Sequence, residues 1–221
     1  MKKLFLSLLS SVMLTTPALA DPEINEWKSY HSMGCMLVGD CREDVNEVKS
    51  IRDIQEYYPD VDYGIVVDEF NSIVRTLNSV GVKVFLADER YFPPGHRGVY
   101  HTVSNNFFLN TNFMHNPGVL MSVTRHEGWH AAQDCMAGTI ENSMIAIILP
   151  EEDIPIIWRE LAERTYPESA VPWESEASWA GRTEAVTEQA LQACATGAPW
   201  EVYDPTPLTR QWLVENGYIN E

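Results

Sequence analysis

His126 and His130, with Glu127 between them in Arg125-His126-Glu127-Gly128-Trp129-His130, are the residues of this chain best placed to do chemistry. On a helix, positions four apart lie about 40° apart around the axis and one turn apart along it. Two imidazoles at that spacing can be offered to one metal ion, and the carboxylate beside them can take a proton from a water that the ion polarises. Zinc suits such donors: it takes imidazole nitrogen and carboxylate oxygen tetrahedrally, and its catalytic sites keep one position open. A third ligand is required. The other histidines are His31, His96, His101 and His115, and a third histidine six residues after the second would fall on Met136. A carboxylate from a later helix is an alternative source, and Pro172-Trp173-Glu174-Ser175-Glu176-Ala177 offers two. Glu174 and Glu176 lie about 200° apart on a helix, so only one of them can face a given ion.

H-E-x-x-H followed tens of residues later by E-x-x-A on a helix resembles the gluzincin branch of the zincin metallopeptidases, in its short single-domain form, over about residues 82–190. The resemblance implies an α+β, zincin-like fold: a small mixed or antiparallel sheet packed on the helix that carries the histidines, with a mainly helical C-terminal half. It implies one zinc per chain on His126, His130 and Glu174, with Glu176 as the alternative ligand. It makes Glu127 the general base in peptide-bond hydrolysis. The substrate, a peptide or protein, would add as a strand to an edge within residues 98–110. Candidates for stabilising the developing oxyanion are His101 and Tyr166, followed by Tyr203 and Arg182. One position departs from the pattern. Many gluzincins carry Asp one turn after the ligand glutamate, bonded to the first histidine, and here that residue is Ser178. An orienting partner must then come from elsewhere, such as Asp134 or a backbone carbonyl. The departure also motivates the alternative reading, a catalytically inactive zincin-like binding or structural module with a zinc site. Gln133 lies near the face of His126, as a partner of the site or as a surface amide.

The elements that must position these residues are read from periodicity. Val45, Val48, Ile51 and Ile54 predict a helix over 44–58, and Ile65, Val66, Phe70, Ile73, Val74 and Leu77 one over 63–79. Residues 21–34 show no period and read as an irregular lead-in. Val82 to Ala87 predicts a strand, and residues 98–110 a strand or a strand pair around Asn105-Asn106, with Val99, Val103, Phe107 and Leu109 on one side. The motif helix is expected over 119–136, closed by Gly138. Further helices are expected from Pro150 to about Arg164, from Trp173 to Ala195 and over 208–216. Ser143 to Leu149 reads as a short core run or docking patch, and Trp129 as a core residue.

Residues 1–20 have a basic start at Lys2 and Lys3, an apolar run from Leu4 to Leu14 and a small-residue end at Ala18-Leu19-Ala20. That is the pattern of a secretory signal peptide cut after Ala20, leaving residues 21–221 as a single domain in a secreted or periplasmic protein. The formal net charge of −17 becomes more negative once two lysines leave, which argues against nucleic-acid partners. No later stretch is long enough for a membrane span, and a monomer is expected. Four cysteines in an exported chain suggest two disulfides, for which three pairings are possible. Cys35 and Cys41 can close a small loop, leaving Cys135 with Cys194. On unbroken helices both of the latter would point away from the metal face, so they suit a disulfide better than a thiolate ligand.

Overall fold

Short β-branched and aromatic runs build one four-stranded sheet from β1 (Val45–Val48), β2 (Lys83–Ala87), β3 (Gly98–His101) and β4 (Asn106–Asn110). The order is β1-β2-β4-β3. β2 and β4 run parallel and both outer pairs are antiparallel, so the sheet is mixed. The computed structural model describes residues 27–137, 143–197 and 209–220. The leader, Gly138 and Tyr203 lie outside these residues.

Side chains alternate across the sheet, as strand geometry requires. Val84, Leu86, Phe107 and Leu109 enter the main core, while Phe85, Ala87 and Phe108 enter a smaller one. The smaller core is covered by α1 (Tyr30–Val38), through Met36, and by Tyr91 and Phe92. After β1 comes α2 (Ile51–Tyr57). The main core is built on α3 (Val67–Ser79) and, after the short α4 (Thr111–Met114), on α5 (Pro117–Met136), which carries the His-Glu-His motif. The rest of the described chain is helical: α6 (Ile156–Thr165), α7 (Val171–Ala180), α8 (Val186–Thr196) and α9 (Arg210–Glu215). The described residues therefore form an α+β arrangement, with a mixed sheet on the motif helix and a helical C-terminal half.

Several expectations about elements are corrected. The lead-in becomes α1 from Tyr30 onward, where Ser29 and Ser32 cap each other reciprocally through side chain and backbone N–H. The helix expected over 44–58 is a strand followed by a helix. Val45 packs in the smaller core and Val48 in the main one, as residues three apart on a strand must, and Ser50 with Asp53 then starts α2. The next helix begins at Val67, later than Tyr63. Residues 98–110 form two strands, and counting alternation across their turn fails: Val103 is 71% exposed, and Val99 pairs with Phe108 on the face opposite Phe107 and Leu109. Pro150 opens only a 3-10 turn (Glu151–Asp153), and α6 starts after Pro155. The expected long helix from Trp173 is broken into α7 and α8. The intervening turn ends at Ala185 with φ +65°, and the Ala185 N–H donates to Glu69 Oε1 at 3.3 Å. Glu69 also receives Arg125 Nε at 2.8 Å, so this corner is pinned to α3 and α5 together.

Candidate metal centre

The motif helix starts where Asn116 Oδ1 accepts the Val119 N–H at 3.1 Å and Pro117 fills the first turn, which needs no N–H partner. Three glycines let neighbouring elements press against it. A Cβ placed on Gly98 of β3 would lie 2.6 Å from Val123 Cγ1 and 3.2 Å from Glu127 Cγ. On Gly181, at the end of α7, a Cβ would lie 3.2 Å from His126 Cβ. On Gly128 of α5 it would meet Thr187 of α8 at 3.0 Å. Strand and helices thus close around the same two turns of α5 that hold the histidines.

On those turns the ligand candidates converge. His126, His130 and Glu174 each offer one ligand atom, and these atoms lie within 4.8 Å of one another. Glu174 Oε2 is 3.4 Å from His126 Nε2 and 3.6 Å from His130 Nε2. Donors bound tetrahedrally to one zinc at ordinary bond lengths would sit roughly 3.3–3.5 Å apart. Glu174 Oε2 is buried and has no hydrogen-bond partner among the described residues. A bare carboxylate oxygen facing two imidazole nitrogens is a costly arrangement unless a cation lies among them. The residues present therefore fit a metal ion. In the metal-free protein a proton held by His130 answers that need. Burial works against a charged His130, but Glu174, Glu127 and Gln133 outweigh it and raise the ring to about 9. Burial likewise works against the Glu174 carboxylate, and the two histidines overcome it, holding the acid well below its ordinary range.

Glu176, the alternative ligand, is directed elsewhere. It is buried, and its carboxylate accepts from Trp129 Nε1 (3.1 Å), Gln133 Nε2 (2.8 Å), Ile148 N (2.8 Å) and Leu149 N (2.7 Å). Burial raises this acid to about 7 against the pull of those donors. It anchors residues 146–149 to α5 and α7; Ala146 and Ile148 are core residues, and so is Trp129. Gln133 is no surface amide. It is fully buried, and its Oε1 lies 2.8 Å from His130 Nδ1. Sequence spacing placed Gln133 near the metal face without showing what it touches.

Glu127 is buried against the edge strand, with its Oε2 accepting the Tyr100 N–H at 2.8 Å. The Tyr100 hydroxyl donates to Asp134 Oδ2 at 2.8 Å, and burial raises the Asp134 carboxyl to about 7 despite that bond. Asp134 thus serves Tyr100, not a histidine, and Ser178 forms no hydrogen bond to His126 among the described residues. Tyr166, just after α6, lies close enough to Glu174 and Glu127 that, after burial, their charges keep its phenol protonated above the ordinary range. His101 is turned to Ser104 Oγ at 2.8 Å within the β3–β4 turn, and Arg182 is exposed.

Both expected disulfides are present. Cys35–Cys41 closes the loop after α1, and Cys135–Cys194 joins α5 to α8. They point to an oxidising compartment. No helix among the described residues is long and apolar enough to cross a membrane. Comparison with protein-family profiles, curated proteins and solved structures finds no match in any of the three.

Proposed function

We propose that this chain is an exported zinc metallopeptidase of the gluzincin type, with His126, His130 and Glu174 as metal ligands and Glu127 as general base. The observation that carries the reading is the convergence of those three side chains around a buried, unpartnered carboxylate oxygen, with Glu127 one residue from the first histidine. Zinc bound there would bring the pKa of a water towards neutrality and polarise a substrate carbonyl. Glu127 has Oε2 committed to Tyr100 N, which fixes the carboxylate and leaves Oε1 to take the proton of the attacking water and pass it to the leaving amine. The protonated Tyr166 hydroxyl beside Glu174 suits donation to the developing oxyanion. β3 is the edge of the sheet on the Glu127 side, so an extended peptide has a strand to pair with.

The test is Glu127→Gln in the disulfide-intact protein, assayed on a broad peptide library. Zinc content should stay at about one per chain, while hydrolysis falls by about 10²–10⁴-fold. Full activity in this variant would reject the mechanism. Ser178, standing where a histidine partner is expected, favours a second reading, a non-catalytic zinc module. No cleavage by the fully zinc-loaded wild type at any pH would select it.

A further inference from the structure

We infer that Gln133 is the positioning residue of the metal centre, and that through Glu176 it couples His130 to the docking of residues 146–149. The inference rests on the metal reading above, but not on peptidase activity.

The hydrogen-bond pattern fixes the direction of every link. The Gln133 side-chain nitrogen donates to Trp173 O at 3.1 Å and to Glu176 Oε2 at 2.8 Å. Both of its hydrogens are thereby used, so the atom facing His130 is the oxygen, an acceptor only. His130 must then carry its proton on Nδ1 and turn the Nε2 lone pair towards Glu174 and His126. The wrong tautomer would set two lone pairs against each other inside a buried site. Gln133 cannot rotate to relieve such a clash, because Glu176 holds its nitrogen.

Glu176 in turn accepts the backbone N–H groups of Ile148 and Leu149. Undocking residues 146–149 would leave that buried carboxylate with two fewer donors and loosen its hold on Gln133. Ala146 N also donates to Gln133 O, at 3.1 Å, so the segment reaches Gln133 directly as well as through Glu176. Metal affinity and the docking of this segment therefore belong to one linked equilibrium. The charged partner more commonly found behind a metal-binding histidine lies here one amide further away.

Gln133→Leu tests the assignment, with zinc affinity measured by chelator competition on the full disulfide-bonded chain. Affinity should fall by about 10- to 100-fold. The exchange-protected Nδ1–H resonance of His130, visible in the zinc-loaded wild type, should lose its protection. Zinc should slow amide exchange at Ile148 and Leu149 in the wild type and not in the variant. Unchanged affinity in Gln133→Leu, or Ile148 and Leu149 amides indifferent to zinc in the wild type, overturns the inference. Should Gln133→Leu fail to fold, the wild-type exchange measurement still decides it. Failure of the metal reading looks different: zinc binding would be absent from the wild type or would survive His126→Ala with His130→Ala.

Discussion

Tyr166 and Asp134 lead to separate predictions about single residues. If the Tyr166 hydroxyl serves the oxyanion, Tyr166→Phe should lower kcat by about 10²-fold or more while zinc content and KM change little. An unaltered kcat would assign Tyr166 to packing. Asp134 bears on pH dependence, together with His130. The Asp134 carboxyl is raised to about 7 from its ordinary 3.8, and His130 in the metal-free protein to about 9 from 6.5. A raised folded value means that the fold favours the protonated form. That contribution is fully present below the ordinary value and lost as pH rises through the folded one. In the presence of chelator, the melting temperature should therefore fall from about pH 4 to about 7 through Asp134 and Glu176, whose carboxyl is likewise raised to about 7, and from about 6.5 to about 9 through His130. Asp134→Asn should remove its own share of the lower decline and leave the share of Glu176. On the zinc reading, zinc takes the place of the proton on His130 and should flatten the upper part. A melting temperature that climbs between pH 7 and 9 in chelator would contradict this account. Much of the candidate site was legible from residue types and spacing: the helical interval fixes His126, Glu127 and His130 relative to one another. The choice between Glu174 and Glu176 was not. Helix phase shows that they diverge, but the direction of each depends on how α7 sits on α5, which no local pattern records.

At the level of elements, the closest approach in the site is β3 against α5. Gly98→Ala would place a methyl group 2.6 Å from Val123 Cγ1 and 3.2 Å from Glu127 Cγ. The strand must move away from the helix, at a cost of about 1–3 kcal/mol. Chemical denaturation should show that loss, and Val123→Ala added to it should recover a good part by vacating the space. If Gly98→Ala is neutral and needs no second change, the packing described here is wrong. β2, the existence of a strand pair around Asn105-Asn106 and the motif helix were readable because β-branched and aromatic runs and the Asn-Pro-Gly punctuation agree there. The failures have physical causes. Val45 and Val48, three apart, imitate a helical stripe while serving opposite faces of a strand. The break between α7 and α8 covers Gly181-Arg182-Thr183-Glu184-Ala185, where Gly181 alone gives a local stop signal. It is imposed by tertiary contacts, with Glu69 taking the Ala185 N–H and Thr187 Oγ1 donating to Arg125 O at 3.0 Å.

The molecule as a whole carries a formal net charge of −17. A field of that sign draws cationic ligands towards the surface and is screened by salt over about 8–10 Å. On the peptidase reading, kcat/KM for peptides rich in Lys or Arg should drop several-fold between about 0.05 and 0.5 M salt, where the screening length shortens, while neutral peptides show little change. Equal salt responses would remove charge from the account of substrate choice. The Cys135–Cys194 bond has a consequence for how such a centre comes into being. Glu174 lies within the span of chain that this bond closes, and His130 lies just outside its first sulphur. Once the bond exists, even an unfolded chain keeps its third donor tethered near the first two. A reduced chain must instead find that encounter across an open loop, at greater entropic cost. On the metal reading, biogenesis therefore favours one order, oxidation first and ion capture second, so that an ion would enter a cage whose hinge is already shut.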